Sequence, residues 1–170
     1  MTKRVAILVA DIYQDLEVWY PLLRLKEIGI EVIVVGPEKG KIYKGKYGYP
    51  IKSEVNAKEV KTETLDGIII PGGYAPDILR RYPEIVDLVK KMYQEGKVVA
   101  AICHGGWLLC SAKILNGKTV TGFFAIKDDL ENAGAKFIDA EVVVDGNLIT
   151  SRQPEDLPMF VLEIIRALKV

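Results

Sequence analysis

The chain has 170 residues, 49% hydrophobic and 27% charged, with 23 basic and 23 acidic side chains. A chain of this size buries roughly two-thirds of its unfolded surface, so we expect a single domain over residues 1–170 whose core needs neither disulfide nor metal. The balanced charge argues against nucleic acid as a partner. The apolar runs are shorter than the ~20 residues of a membrane span, and no signal-peptide pattern is visible, so we expect a cytoplasmic protein without a membrane partner.

Short apolar runs alternate with segments of helical period along the first hundred residues. Residues 5–10, 31–35, 67–70 and 98–102 are nearly continuously apolar, which is typical of strands covered on both faces of a parallel sheet. Between them, residues 15–28 and 83–95 carry apolar side chains at helical spacing and predict crossover helices.

The remaining segments complete an α/β pattern. Residues 41–53 predict an exposed β-excursion, and residues 141–150 predict a hairpin around an Asp145-Gly146 turn. Pro154 then opens a C-terminal helix. This order indicates a doubly wound sandwich, with a central, mostly parallel sheet and helices on both faces.

A cysteine stands at the joint between the strand at 98–102 and a following helix. Cys103, with small residues around it and the chain's one histidine, His104, beside it, matches a nucleophile elbow, in which a sharp turn raises the side chain above the sheet. A helix N-terminus there would stabilise a thiolate. The alternative is that Cys103 is a small buried hydrophobe, which is our interpretation of Cys110 in the helix body.

Two further features have open interpretations at this point. Gly72 and Gly73 follow the strand at 67–70, where their backbone N–H groups either face a developing oxyanion or form a plain turn. Glu17 lies near the start of the first helix, where it is either a solvated acid or, because Pro21 makes the first turn irregular, a group tipped toward the sheet edge.

In their order and spacing these motifs resemble the DJ-1/PfpI superfamily, and most closely its PfpI-type intracellular proteases. The resemblance extends over nearly the whole chain and rests on Asp15-Leu16-Glu17, Ile70-Pro71-Gly72-Gly73, Ala101-Ile102-Cys103-His104-Gly105, Ile126-Lys127-Asp128-Asp129 and Thr150-Ser151-Arg152. It implies a flavodoxin-like fold.

The resemblance also implies roles for single residues. Cys103 would be the nucleophile, and Glu17 would be held protonated beside its thiolate, lowering the pKa of the cysteine. The backbone N–H groups of Gly73 and His104 would form the oxyanion hole. His104 would be completed by an acid from a neighbouring subunit at the position of Asp77.

The chain departs from the family pattern at several places near these residues. Asp77 and Gln14 stand where glutamate is usual, Phe123-Phe124 replaces Tyr-Pro, and Gly106-Trp107 replaces Pro-Gln. Asp77 is therefore a shorter acid than the pattern expects. The bulky aromatics are expected to narrow the pocket.

Three functions remain open. The resemblance implies a glyoxalase III-like or deglycase enzyme, in which Cys103 adds to an α-oxoaldehyde or its early adduct. The alternatives are a cysteine peptidase, in which His104 protonates the leaving amine, and a non-enzymatic thiol sensor or holdase. A class I glutamine amidotransferase is excluded because no histidine follows position 104. We expect no cofactor and no metal, a small carbonyl or peptide substrate, and a homo-oligomer built from dimers, up to a hexamer.

Overall fold

Strands and helices alternate through residues 2–170, the part of the chain that the computed structural model describes. The strands are β1 (Arg4–Leu8), β2 (Glu31–Gly36), β3 (Ile42–Lys44), β4 (Pro50–Lys52), β5 (Val55–Asn56), β6 (Gly67–Ile70), β7 (Val98–Ile102), β8 (Thr119–Val120), β9 (Lys136–Phe137), β10 (Val142–Asp145) and β11 (Leu148–Ser151). The α-helices are α1 (Asp15–Glu27), α2 (Ala75–Leu79), α3 (Pro83–Gln94), α4 (Gly106–Ala112), α5 (Lys127–Asn132) and α6 (Leu157–Leu168).

The central sheet has the strand order β10-β11-β7-β6-β1-β2-β5. Its strands are parallel except for β10, which pairs antiparallel with β11 at one edge. β1 pairs with β2 on one side and with β6 on the other, so that Ile7 is opposite both Val34 and Ile69. The chain thus reverses its direction of winding between β1 and β6, and the carboxyl ends of these strands form the crevice where open α/β sheets bind ligands.

Helices cover both faces of the sheet, because the two main crossovers leave β1 and β6 in opposite directions. In these right-handed connections α1 lies on one face and α3 on the other. α1 packs against α6, and α3 packs against α4. β1 is consequently covered on both sides, and its residues from Val5 to Leu8 have no exposed surface. The predicted doubly wound sandwich is confirmed.

The predicted hairpin forms from β10 and β11, and the predicted β-excursion is a second hairpin that is less exposed than expected. β3 and β4 pair antiparallel within residues 41–53, but Tyr43 and Ile51 on the inner side of this hairpin are buried. The sequence did not predict β5, β8, β9 or α5, since elements this short carry no periodic pattern. None of the helices within residues 2–170 is both long and apolar enough to cross a membrane.

Candidate active site

Cys103 occupies a strained turn at the carboxyl end of β7. Its φ is 60°, which is a left-handed conformation that residues other than glycine seldom adopt. It opens the 3-10 helix Cys103–Gly105, which leads into α4. A Cβ on Gly105 would lie 2.7 Å from the Ile70 carbonyl oxygen, so a larger residue there would displace the turn. The local geometry is that of the predicted nucleophile elbow.

Glu17 lies on the buried face of α1 and has no exposed surface. The helix runs through Pro21 without a break, so an irregular first turn is not what directs the side chain inward. Pro21 and Leu25, one and two turns further on, are also buried. Glu17 therefore stands in an apolar stripe, at a position where a hydrophobic residue is normally expected.

The two carboxyl oxygens of Glu17 have different surroundings. Oε2 accepts a hydrogen bond of 2.6 Å from the backbone N–H of Gly72. Oε1 is buried and accepts no hydrogen bond from residues 2–170. The Cys103 thiol interacts with this carboxyl group. A buried oxygen without a partner is costly, so the protonated, neutral form of Glu17 is favoured.

The ionisation of Glu17 and Cys103 is coupled. Burial raises the pKa of Glu17 to about 7, against the opposing effects of the Gly72 N–H and the thiol. Burial, followed by the negative charge of Glu17, raises the pKa of Cys103 to about 12. Because ionising either group disfavours ionising the other, the pair holds one proton and one negative charge over a wide pH range.

A pair of glycines adjoins this pair of titratable groups. A Cβ on Gly72 would lie 2.6 Å from Glu17 Oε2 and 2.7 Å from the Cβ of Cys103, so a side chain there would force these groups to shift. Gly73 has a φ of 72°. Its backbone N–H and that of His104 both interact with the Cys103 sulfur and favour its charged form. Two donors therefore converge beside the atom that would form a bond with a substrate carbon.

The His104 ring is close to the thiol and packed among aromatic side chains. Its Nδ1 lies 3.2 Å from Cys103 Sγ. The ring is edge-on to Trp107, with centroids 5.1 Å apart, and tilted over Phe123 at 4.9 Å. Burial, with a smaller contribution from the charge of Lys46, lowers the pKa of the imidazole, so the ring is neutral near pH 7. No carboxylate within residues 2–170 hydrogen-bonds to it.

A cavity of about 530 Å³ opens above Cys103. It is lined by Ile12, Gln14, Lys46, Tyr47, Gly73, Tyr74, Cys103, His104, Trp107, Phe123, Gln153, Pro154 and Glu155. A larger cleft of about 630 Å³ between α1 and the β3–β4 hairpin contains none of the predicted catalytic residues. The smaller cavity is therefore the candidate active site.

The sequence as a whole matches the description "DJ-1/PfpI family" over residues 3–167. The chain belongs to the DJ-1/PfpI family. It is 46% identical over 166 residues to a deglycase of Thermococcus kodakarensis, covering 98% of this chain and 99% of that protein. It is 40% identical over 170 residues to "Protein/nucleic acid deglycase 2" of Escherichia coli, covering 99% of each.

A solved structure of the family shows the same fold. It is a two-domain protein of Anabaena variabilis with DJ-1/ThiJ/PfpI-like and ferritin-like domains. The two chains are 43% identical with a TM-score of 0.97, over 99% of this chain and 48% of the Anabaena chain.

Asp77, where this DJ-1/PfpI chain has a shorter acid than usual, does not contact His104 of its own chain. It lies on α2 and forms an ion pair with Arg81, which lowers the pKa of the carboxyl group. Three apolar or aromatic residues lie near Asp77. Tyr74 is 45% exposed, whereas Ile78 and Tyr82 are half-buried against the core.

Only some of the aromatic residues that differ from the DJ-1/PfpI pattern line the cavity. Trp107 and Phe123 line it, whereas Phe124 is 76% exposed and lies outside, against Phe123. The lining residues that sequence reasoning missed include four with polar groups, namely Lys46, Tyr47, Gln153 and Glu155. Polar residues in loops carry no periodic signal, and only the folded chain brings these segments to the carboxyl edge of the sheet.

Proposed function

We propose that this protein is a cysteine-dependent deglycase or glyoxalase III-like enzyme that converts α-oxoaldehydes, or their early adducts with thiols and amines, to 2-hydroxy acids. The observation that carries the proposal is the coupled pair of Cys103 and Glu17 beneath the N–H groups of Gly73 and His104. A carbonyl addition needs a thiolate, donors for the developing oxyanion and one mobile proton, and this group of residues can supply all three. The deglycase names of the two relatives support the same chemistry.

In the first step the Glu17 carboxylate takes the proton of the Cys103 thiol as the sulfur attacks the aldehyde carbon. A carbon–sulfur bond forms, and the carbonyl π electrons move to oxygen, where the two backbone N–H groups stabilise the charge. The oxyanion then takes the proton that Glu17 held. The product is a neutral hemithioacetal beside a Glu17 carboxylate.

That carboxylate is then a base in a water-poor site. Glu17 removes the proton of the former aldehyde carbon and returns it to the neighbouring carbon, while the hydroxyl proton moves to the oxygen of that neighbouring carbon. The first carbon is thereby oxidised and the second reduced, which gives a thioester without any external oxidant. Water cleaves the thioester, releasing a 2-hydroxy acid and restoring the Cys103 thiol beside the Glu17 carboxylate. The neutral His104 ring, 3.2 Å from the sulfur, can act as a proton carrier in this last step.

A peptidase is the second candidate, and the contact between Cys103 and His104 favours it. Residues next to each other in sequence need not face each other, yet here the thiol and the imidazole are within hydrogen-bonding distance. The same thiolate could attack a peptide carbonyl, with His104 protonating the leaving amine.

A parallel assay separates the two functions. Wild type, Cys103→Ala and the matched control Cys110→Ala would be assayed for methylglyoxal loss with lactate formation, and for cleavage of a quenched peptide library. We expect wild type and Cys110→Ala to form lactate and Cys103→Ala to form none. Lactate formation that survives in Cys103→Ala, or peptide cleavage alone in wild type, would contradict the deglycase proposal.

We also propose that Asp77 acts across a subunit interface in a homo-oligomer, because no carboxylate within residues 2–170 of the same chain hydrogen-bonds to His104. An acid that orients the imidazole would then come from the neighbouring molecule. Inactive Cys103→Ala and Asp77→Ala variants, mixed and reassembled, should regain part of the activity, since some interfaces combine an intact Cys103 with an intact Asp77. Failure to complement, in a preparation shown to exchange subunits, would rule out action in trans.

A further inference from the structure

The turn of the β3–β4 hairpin, residues 45–49, is anchored by a buried carboxylate. Asp15 accepts hydrogen bonds from the backbone N–H groups of Tyr47, at 2.9 Å, and Tyr49, at 3.1 Å. Asp15 is only 9% exposed. A Cβ on Gly45 would overlap this carboxylate, so glycine is required there for the turn to close over it. The turn is thus fixed to the start of α1, the helix that carries Glu17.

The same turn is joined to the loop after β1. The Lys46 N–H donates to the Tyr13 carbonyl oxygen at 2.7 Å, and the Ile12 N–H donates to the Lys44 carbonyl oxygen at 2.8 Å. On its other side, Tyr13 forms an isolated bridge with Gly73. The segment at residues 12–14 therefore connects the hairpin turn directly to the loop that supplies the Gly73 N–H. The backbone of Lys46 therefore has a fixed position relative to the loop that contains Gly73.

Lys46 supplies the positively charged side chain among the residues that line the cavity over Cys103. Its ammonium lies 5.6 Å from the centre of the Tyr47 ring, another wall residue. Its charge also lowers the pKa of both Glu17 and His104, so its field reaches the reacting groups. The carboxylate in the lining, Glu155, comes from the separate segment at residues 153–155.

We infer that Lys46 is a specificity-determining residue that binds a negatively charged group, such as a carboxylate, on the molecule that reacts with Cys103. The inference deepens the proposed function, since it selects acidic oxoaldehydes and adducts of carboxylate-bearing thiols or amines over neutral ones. The anchored turn keeps the backbone of Lys46 beside the cavity, so no loop has to be ordered for the ammonium to reach a bound anion. The Glu155 carboxylate lines the same cavity and repels an anion, so it opposes this preference.

The test uses two alkylating reagents that differ mainly in charge. Iodoacetate is an anion and iodoacetamide is neutral, and with either one the thiolate forms a carbon–sulfur bond as iodide leaves. Rates at Cys103 would be measured in a Cys110→Ala background, alone and combined with Lys46→Met, Lys46→Arg, Lys44→Met or Glu155→Gln. The ratio of the two rates cancels any change in the amount of thiolate, so it reports only the preference for charge.

We expect the iodoacetate-to-iodoacetamide ratio to fall about five- to tenfold in Lys46→Met and to persist in Lys46→Arg, with the difference shrinking at high salt because the pair is screened. Lys44→Met removes the same charge from the same hairpin at a position outside the cavity lining, so its ratio should match the background. Glu155→Gln should raise the ratio. An unchanged ratio in Lys46→Met, or an equal fall in Lys44→Met, would overturn the inference.

Turnover of adducts links this preference to the proposed function. Methylglyoxal adducts of N-acetylcysteine, which carries a carboxylate, and of its neutral amide would be compared in wild type and Lys46→Met. A preference for the acidic adduct that is lost in Lys46→Met through KM supports the inference. Absence of turnover with both adducts would contradict the deglycase proposal, while the alkylation ratio would still decide the role of Lys46.

Discussion

Glu17→Gln should make the folded protein more stable above neutral pH while impairing its chemistry. Burial raises the pKa of Glu17 from an ordinary 4.5 to about 7 in the folded state. Below about pH 4.5 the Glu17 carboxyl group is protonated in both the folded and the unfolded chain, so its ionisation does not lower the free energy of unfolding. Between 4.5 and 7 the unfolded chain releases the proton and the folded chain retains it, so stability falls as pH rises. Above pH 7 this loss of stability is complete and no longer changes with pH.

The size of the effect follows from the same two values. A pKa difference of this magnitude corresponds to about 3 kcal/mol of unfolding free energy. Glutamine has nearly the same shape as glutamate, and its amide oxygen can still accept the Gly72 N–H, but it carries no charge at any pH. Glu17→Gln should therefore match wild type near pH 4.5 and exceed its stability by about 3 kcal/mol at pH 8. Turnover should fall, because the amide cannot supply a proton to the oxyanion.

Urea unfolding at pH 4.5, 6 and 8, followed by tryptophan fluorescence, would measure the difference between variant and wild type. Taking the difference cancels the titration of groups that both proteins share. Glu63→Gln, at an exposed position, is the matched control, and its difference from wild type at each pH serves as the baseline. A difference for Glu17→Gln that does not grow between pH 4.5 and 8 would refute the raised pKa, and with it the proton shared between Glu17 and Cys103.

Three further outcomes test other parts of the site. Limited alkylation at pH 7 followed by mass spectrometry should label Cys103 before Cys110, although Cys110 is the more exposed thiol, because the N–H groups of Gly73 and His104 stabilise the negative charge on the Cys103 sulfur; the reverse order would contradict the elbow assignment. Gly72→Ala should fold but lose most of its turnover, because its Cβ would press on both catalytic groups at 2.6–2.7 Å, and wild-type kcat would show that the site adapts. Asp15→Ala should speed amide hydrogen exchange at residues 47 and 49, because their acceptor is lost; unchanged exchange would mean that the hairpin holds the turn by itself.

The sheet and the elbow could be predicted because their signals are local. A strand covered on both faces is almost purely apolar, and at residues 98–102 that run ends at Cys103 with glycines close behind it. The sequence also gives some indication that Glu17 is buried, since its spacing places it on the same helix face as Pro21 and Leu25. Spacing alone could not separate this from a solvated acid, because the sequence does not show which face of a helix meets the sheet edge.

The anchored hairpin turn could not be predicted in the same way. Asp15 meets the N–H groups of Tyr47 and Tyr49 across 32 and 34 residues of sequence, and nothing near Asp15 indicates that partner. Lys46 is one of several lysines in residues 41–53 and differs from them only in where the fold puts it. A cation becomes part of a site through long-range backbone hydrogen bonds, which leave no local pattern to detect.

The structure divides the site into a floor and a wall that depend on different parts of the chain. Cys103, Glu17 and the Gly72-Gly73 loop form the floor, and the crowding around Gly72 leaves no room for change there. Side chains from the hairpin turn, from α4 and from the segment around Phe123 form the wall, and Trp107 and Phe123, which depart from the family pattern, both belong to it. Differences from related deglycases should therefore appear in KM and in the choice of substrate. The pH dependence of the reaction, which the floor controls, should be shared with them.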